Sequence, residues 1–120
     1  MEKKYRERLE QVCRVLRDLP AGKKFSLESW YRCGTIGCAI GWAAADPWFT
    51  RRGLKLISHS FFIPNEKVPF YKGVRDISAV EKFFGLAQHN VTWIFYGEGY
   101  KQGSRRNVIR RIEKFIKDAA

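Results

Sequence analysis

The chain has 120 residues, of which 45% are hydrophobic and 15% aromatic. That is ample apolar material for one packed core in a single domain over residues 1–120, and it excludes a chain disordered throughout. Lys and Arg number 23 against 12 Asp and Glu, a net +11, so the expected partners are polyanions: nucleic acid, anionic lipid or an acidic protein face.

Residues 1–8 are charged and lead into an amphipathic stretch rather than the apolar core of a leader peptide. No run of ~18 apolar residues follows to span a membrane. Three cysteines, an odd number, fit a reduced, cytoplasmic setting. Tyr5, Leu9, Val12, Cys13 and Leu16 recur at helical spacing and predict a first helix, ended by Pro20 and Gly22. Arg6, Arg8, Arg14 and Arg17 fall on its flanks and outer side, and Cys13 falls on the apolar stripe, in the core. Residues 23–31 read as a connector anchored by Phe25, Leu27 and Trp30.

Residues 33–45 are the most distinctive stretch. Thr35 is placed to cap a helix whose face carries Cys38, Gly41 and Trp42. The small residues Gly37, Ala39, Gly41, Ala43, Ala44 and Ala45 let neighbouring elements approach closely, which suits the centre of a domain. Asp46 and Pro47 stop this helix or start another, as cap and first residue. Over residues 54–71 the pattern turns to alternation and predicts a small β-hairpin or extended loop. Its turn is set at residues 64–67, and Pro69 assigns the return strand to an edge.

Ser78-Ala79-Val80-Glu81 matches a capping box for a helix running to Phe84, with Gly85 ending it. A second short helix is predicted over residues 88–96, carrying Val91, Ile94 and Phe95. Gly97, Gly99 and Gly103 make a link, and Ser104 caps the final helix. Val108, Ile109, Ile112, Phe115 and Ile116 form its inner face; Arg105, Arg106, Arg110, Arg111, Lys114 and Lys117 form its outer one. The fold class is thus mainly α (α+β): a compact helical domain around the small-residue helix.

The run Cys33-Gly34-Thr35-Ile36-Gly37-Cys38-Ala39-Ile40-Gly41-Trp42-Ala43 resembles a group of small phage, prophage and bacterial proteins with a C-G-T-x-x-C-x-x-G-x-A core. The likeness continues through Gly53-Leu54, Phe83-Phe84-Gly85-Leu86, Ile94-Phe95 and the closing amphipathic helix. It implies a fold and a mobile-element context more than an activity. Those proteins are usually acidic or neutral, and this chain is not. By analogy with phage accessory proteins, an inhibitor of a host nucleoprotein defence complex, of the anti-CRISPR kind, is implied as an alternative.

Cys33 and Cys38 are spaced C-x4-C, but only His59 and His89 remain as further soft ligands, so no metal site or cofactor is expected. A Cys33 nucleophile served by His59 or His89 is the enzymatic alternative; a non-enzymatic binder is preferred. Residues 80–95 resemble a helix-turn-helix, with Gly85 at the turn and Val80, Phe84, Leu86, Val91 and Ile94 at apolar offsets. Gln88, His89, Asn90 and Thr92 would then face base edges, although Glu81 stands where a small residue normally packs; simple helix packing gives the same pattern. The densest charge lies over residues 101–120, with seven Lys or Arg against two acids, a net +5. The expected interface with nucleic acid or a nucleoprotein complex is Lys101, Arg105, Arg106, Arg110, Arg111 and Lys114, joined by Arg51 and Arg52. The apolar side of this helix has core-like spacing, so no membrane partner is expected.

Overall fold

The structure, a computed structural model, describes residues 1–26, 29–32, 34–60, 63–97 and 104–119, with the side chains of Ser60, Ile63 and Pro64 left out. It is an α+β fold. In chain order the elements are α1 (Lys3–Arg17), β1 (Lys24–Phe25), β2 (Tyr31–Arg32), β3 (Ile36–Gly37), α2 (Ala39–Ala45), α3 (Pro47–Thr50), β4 (Lys55–Ser60), β5 (Ile63–Tyr71), β6 (Val74–Arg75), α4 (Ile77–Phe84), α5 (Gln88–Tyr96) and α6 (Arg105–Ala119).

The predicted first helix forms as α1, and it buries Leu9, Val12, Cys13 and Leu16 on one face. The Cys-Gly-Thr stretch behaves differently from its sequence expectation. Thr35 does not cap a helix, because the residues around it close a hairpin: Arg32 pairs with Ile36, and the Thr35 N–H donates to the Arg32 carbonyl at 3.1 Å. Gly34 supplies the positive φ of +70° that this turn requires. The helix starts later, at Ala39, behind an extended Cys38 whose N–H donates to the Ser29 and Trp30 carbonyls. Six of the seven residues of α2 are buried. Asp46 caps α3 through a 3.1 Å bond from the Trp48 N–H, with Pro47 in the first position as expected.

The predicted hairpin exists as β4 and β5, and it belongs to a larger mixed sheet of order β1-β3-β2-β5-β4, with β6 also on β5. The turn does not lie at residues 64–67; those residues are inside β5, and Ser60 already pairs with Ile63. Nor is β5 an edge strand, since it pairs with β4 on one flank and with β2 and β6 on the other. Pro69 is tolerated because its carbonyl accepts the Asp76 N–H on the β6 side, one residue beyond the last paired residue of β6. In an antiparallel strand a residue's N–H and C=O point the same way, so the missing donor falls where the ladder ends. The β5–β6 connection is the two-residue turn Lys72-Gly73, with φ of +45° and +85°, the arrangement of a type I′ hairpin.

The capping box at Ser78 does not form. β6 delivers the chain directly to Asp76, which stands at the N-cap with φ +59° and no side-chain cap, leaving Ser78 inside the helix. Gly85 ends α4 in the left-handed region at φ +64°, as predicted. A side chain there would also strike the Tyr5 ring, 2.6 Å from the Cβ position. Ser104 caps α6 through a 3.2 Å bond from the Asn107 N–H. One cluster of buried side chains joins α1, α2, α4, α5 and α6 to the sheet. Its aromatic spine is Phe49, Phe83, Phe84 and Phe95, with successive ring centroids 5.0 to 5.8 Å apart and tilted or edge-on, as ring quadrupoles prefer.

Candidate nucleic-acid interface

α6 lies between α1 and α5, and it buries Val108 and Ile112 completely. At about 100° per residue, the opposite side of the helix carries Arg106, Arg110, Lys114 and Lys117, all exposed. Arg110 donates to the Asn107 side-chain oxygen one turn back. Lys114 meets Asp118 at 3.0 Å. Exposed pairs of this i,i+4 kind contribute only about 0.3–0.5 kcal/mol, so they exchange readily for a phosphate.

The remaining arginines of the expected face are placed otherwise. Arg111 is not on the outer side: it is 8% exposed, and its Nε donates to the Ile94 carbonyl in the last turn of α5 at 2.9 Å. Burial, and then the neighbouring charge of Arg110, hold its guanidinium pKa below the ordinary value. Arg105 is exposed, but its Nη1 donates to the Leu16 and Leu19 carbonyls at the end of α1, at 3.2 and 3.4 Å. Arg52 donates to the Trp48 carbonyl at 2.8 Å and lies 3.5 Å over the Trp48 ring. Arg8 follows the same rule, donating to the Phe83 carbonyl of α4 at 2.6 Å while stacking on the Phe83 ring. Each guanidinium meets a carbonyl in the last turn of a helix, left without an intrahelical partner at the negative end of its dipole, and Arg105 reaches the Leu19 carbonyl beyond α1 as well.

The sequence held a signal for two of these. Arg105 stands three residues before Val108 and seven before Ile112, and Arg111 stands three after Val108 and four before Phe115. Both spacings belong to the apolar stripe, not to the face across from it. Lys101 lies outside the described residues. Arg51 and Arg52 follow α3, and the clefts along α6 are not lined by them.

Those clefts run as a band. On one side of α6, Arg105, Arg106 and Arg110 border a groove with α1. On the other, Arg110, Lys114 and Asn107 border a cleft with Trp93 of α5. Trp93 in turn borders a further recess with Gln88, His89 and Thr92. Beyond the α1 groove, Arg105 and Lys23 share the cleft above Leu19 and Pro20. The structure thus brings Lys23, though not Arg51 or Arg52, into line with α6.

Cys33 lies outside the described residues, so the Cys33–Cys38 pair and the Cys33 nucleophile lie outside them too. Cys38 is buried against the Trp30 carbonyl and Tyr96, and burial pushes its thiol pKa up. His59 is on β4 and His89 on α5. Among the described residues no three His, Cys, Asp or Glu side chains converge as a metal site would need. Among the same residues no helix is long and apolar enough to cross a membrane. No known protein family, curated protein or solved structure matches the chain.

Proposed function

We propose that this protein is a non-enzymatic binder of nucleic acid, free or within a nucleoprotein complex, and that it grips the phosphate backbone with the outer side of α6. The observation that carries this reading is the exposed row Arg106, Arg110, Lys114 and Lys117, set between two clefts that extend the positive surface toward Lys23 and Trp93. Guanidinium groups take phosphate oxygens two at a time, and a row along one helix face tracks a backbone. The likeness of residues 33–43 to small phage and prophage proteins supports a mobile-element setting, with a host nucleoprotein complex as a natural target.

The test is fluorescence anisotropy with a labelled mixed-sequence oligonucleotide. Binding at ~50 mM salt is expected, with affinity falling on the order of 50-fold by ~200 mM if three or four phosphates are contacted. The combined Arg106→Glu, Arg110→Glu and Lys114→Glu exchange abolishes it, while Arg51→Glu leaves it within a few-fold. No binding by the wild-type protein at ~50 mM salt overturns the reading.

A further inference from the structure

We infer that α4, the turn Gly85-Leu86-Ala87 and α5 form a helix-turn-helix that reads double-stranded DNA in the major groove, with Gln88, His89 and Thr92 facing base edges. The inference rests on the nucleic-acid reading above and names the partner as duplex DNA.

Three observations carry it. The first is the unit itself: a helix of eight residues, a turn of three and a helix of nine. The turn is closed by the Gly85 and Leu86 N–H groups, which both donate to the Glu81 carbonyl, and Gly85 takes the left-handed conformation there. Val80, Phe84, Leu86, Val91 and Ile94, from both helices and the turn, are all buried, so the pair is held by packing on its inner side.

The second is what α5 leaves outside. Gln88, His89 and Thr92 are exposed on one side of the helix, and α5 carries no acidic residue. A surface helix with no other task usually shows Lys and Glu to water. Uncharged side chains that both donate and accept suit base edges, whose pattern in the major groove distinguishes all four base pairs. The groove, about 12 Å wide, admits a single helix.

The third is the neighbourhood. The Gln88–His89–Thr92 recess and the Arg110–Lys114 cleft share Trp93 as their common wall. A duplex seated on α5 therefore presents its flanking phosphates to the outer side of α6. Trp93 is half-buried between the two clefts, so it is a wall rather than a platform for stacking unpaired bases. Glu81 departs from the usual small residue of such motifs. Here it is half-buried on α4.

The experiment is selection from a random duplex library with the full chain, followed by anisotropy on the enriched duplex, a scrambled duplex, the single strand and the RNA duplex. An enriched sequence is expected, bound on the order of 100-fold more tightly than the scramble. The Gln88→Ala, His89→Ala and Thr92→Ala triple variant, at exposed positions, binds both duplexes alike with an unchanged salt slope. If the triple variant fails to fold, His89→Ala alone must relax the preference at a single base position. No enriched sequence, a preference that survives these variants, or tighter binding of single strand or RNA duplex overturns the inference. In those cases, binding that is still lost on α6 charge reversal leaves the nucleic-acid reading standing. Absence of any binding at low salt removes both.

Discussion

At the scale of the residue, Gly41 shows how a close approach outweighs local preference. In a helix interior Gly is about 1 kcal/mol worse than Ala, so propensity alone favours Gly41→Ala. A Cβ at Gly41, however, would sit 1.5 Å from the Trp30 carbonyl oxygen. That carbonyl already receives the Cys38 N–H and thiol, so it has little room to shift. Gly41→Ala is expected to destabilise by about 3 kcal/mol or more, the upper range for overpacking, as measured by urea unfolding. Cys13 gives a second prediction. Burial, foremost, raises its pKa from 9.0 to about 11. The unfolded chain then releases this proton near pH 9 and the folded chain only near pH 11. The contribution is therefore whole below pH 9 and is lost as pH rises to about 11. Unfolding free energy should fall by about 3 kcal/mol across that window. Cys13→Ala, compared over the same pH range, should lack that part of the fall.

At the scale of the element, the recurring device is an arginine closing the carbonyl end of a helix that it does not belong to. Arg8 serves α4, Arg105 serves α1 and Arg111 serves α5. Arg111→Met should cost about 1–3 kcal/mol by leaving the Ile94 carbonyl without this donor, while the folded fraction keeps its affinity for nucleic acid. Arg110→Met should do the reverse, with affinity reduced severalfold and the melting temperature unchanged; thermal melts beside anisotropy separate the two. Much of this level was legible in the sequence. The bounds of α5, the Gly85 stop and the Ser104 cap follow from local chemistry, and all three stand in the structure. What was not legible depends on distant partners. β1 and β3 are two-residue strands paired in parallel across the chain, too short for any period to show. The Pro69 strand gained two flanks because β2 and β6 divide its second side between them. At the candidate interface, the exposed row on α6 could be read from spacing. Lys23 joins it through the cleft that it shares with Arg105 at the start of α6, a placement that spacing along the chain does not show.

At the scale of the whole molecule, the fold measures 42 × 31 × 25 Å, and its positive charge serves two ends. Part is turned inward onto carbonyls and aromatic rings; part is left on the outer side of α6. Formal charge alone therefore overstated the surface available to a polyanion; α6 keeps five exposed cations, four of them on its outer side. The same helix closes the fold, since it packs along α1 and Arg17 meets Glu113 across 96 positions of sequence. During synthesis this separation becomes time. At roughly 5–20 residues per second, on the order of 5–20 s pass between the emergence of α1 and that of Val108 and Ile112. By the end of that interval the residues of the sheet and of α4 and α5 have followed, while Leu9, Val12 and Leu16 still await the part of their cover that α6 supplies. A chain without α6 leaves the apolar face of α1 partly uncovered, which exposes it to chaperones and to mispairing with its neighbours.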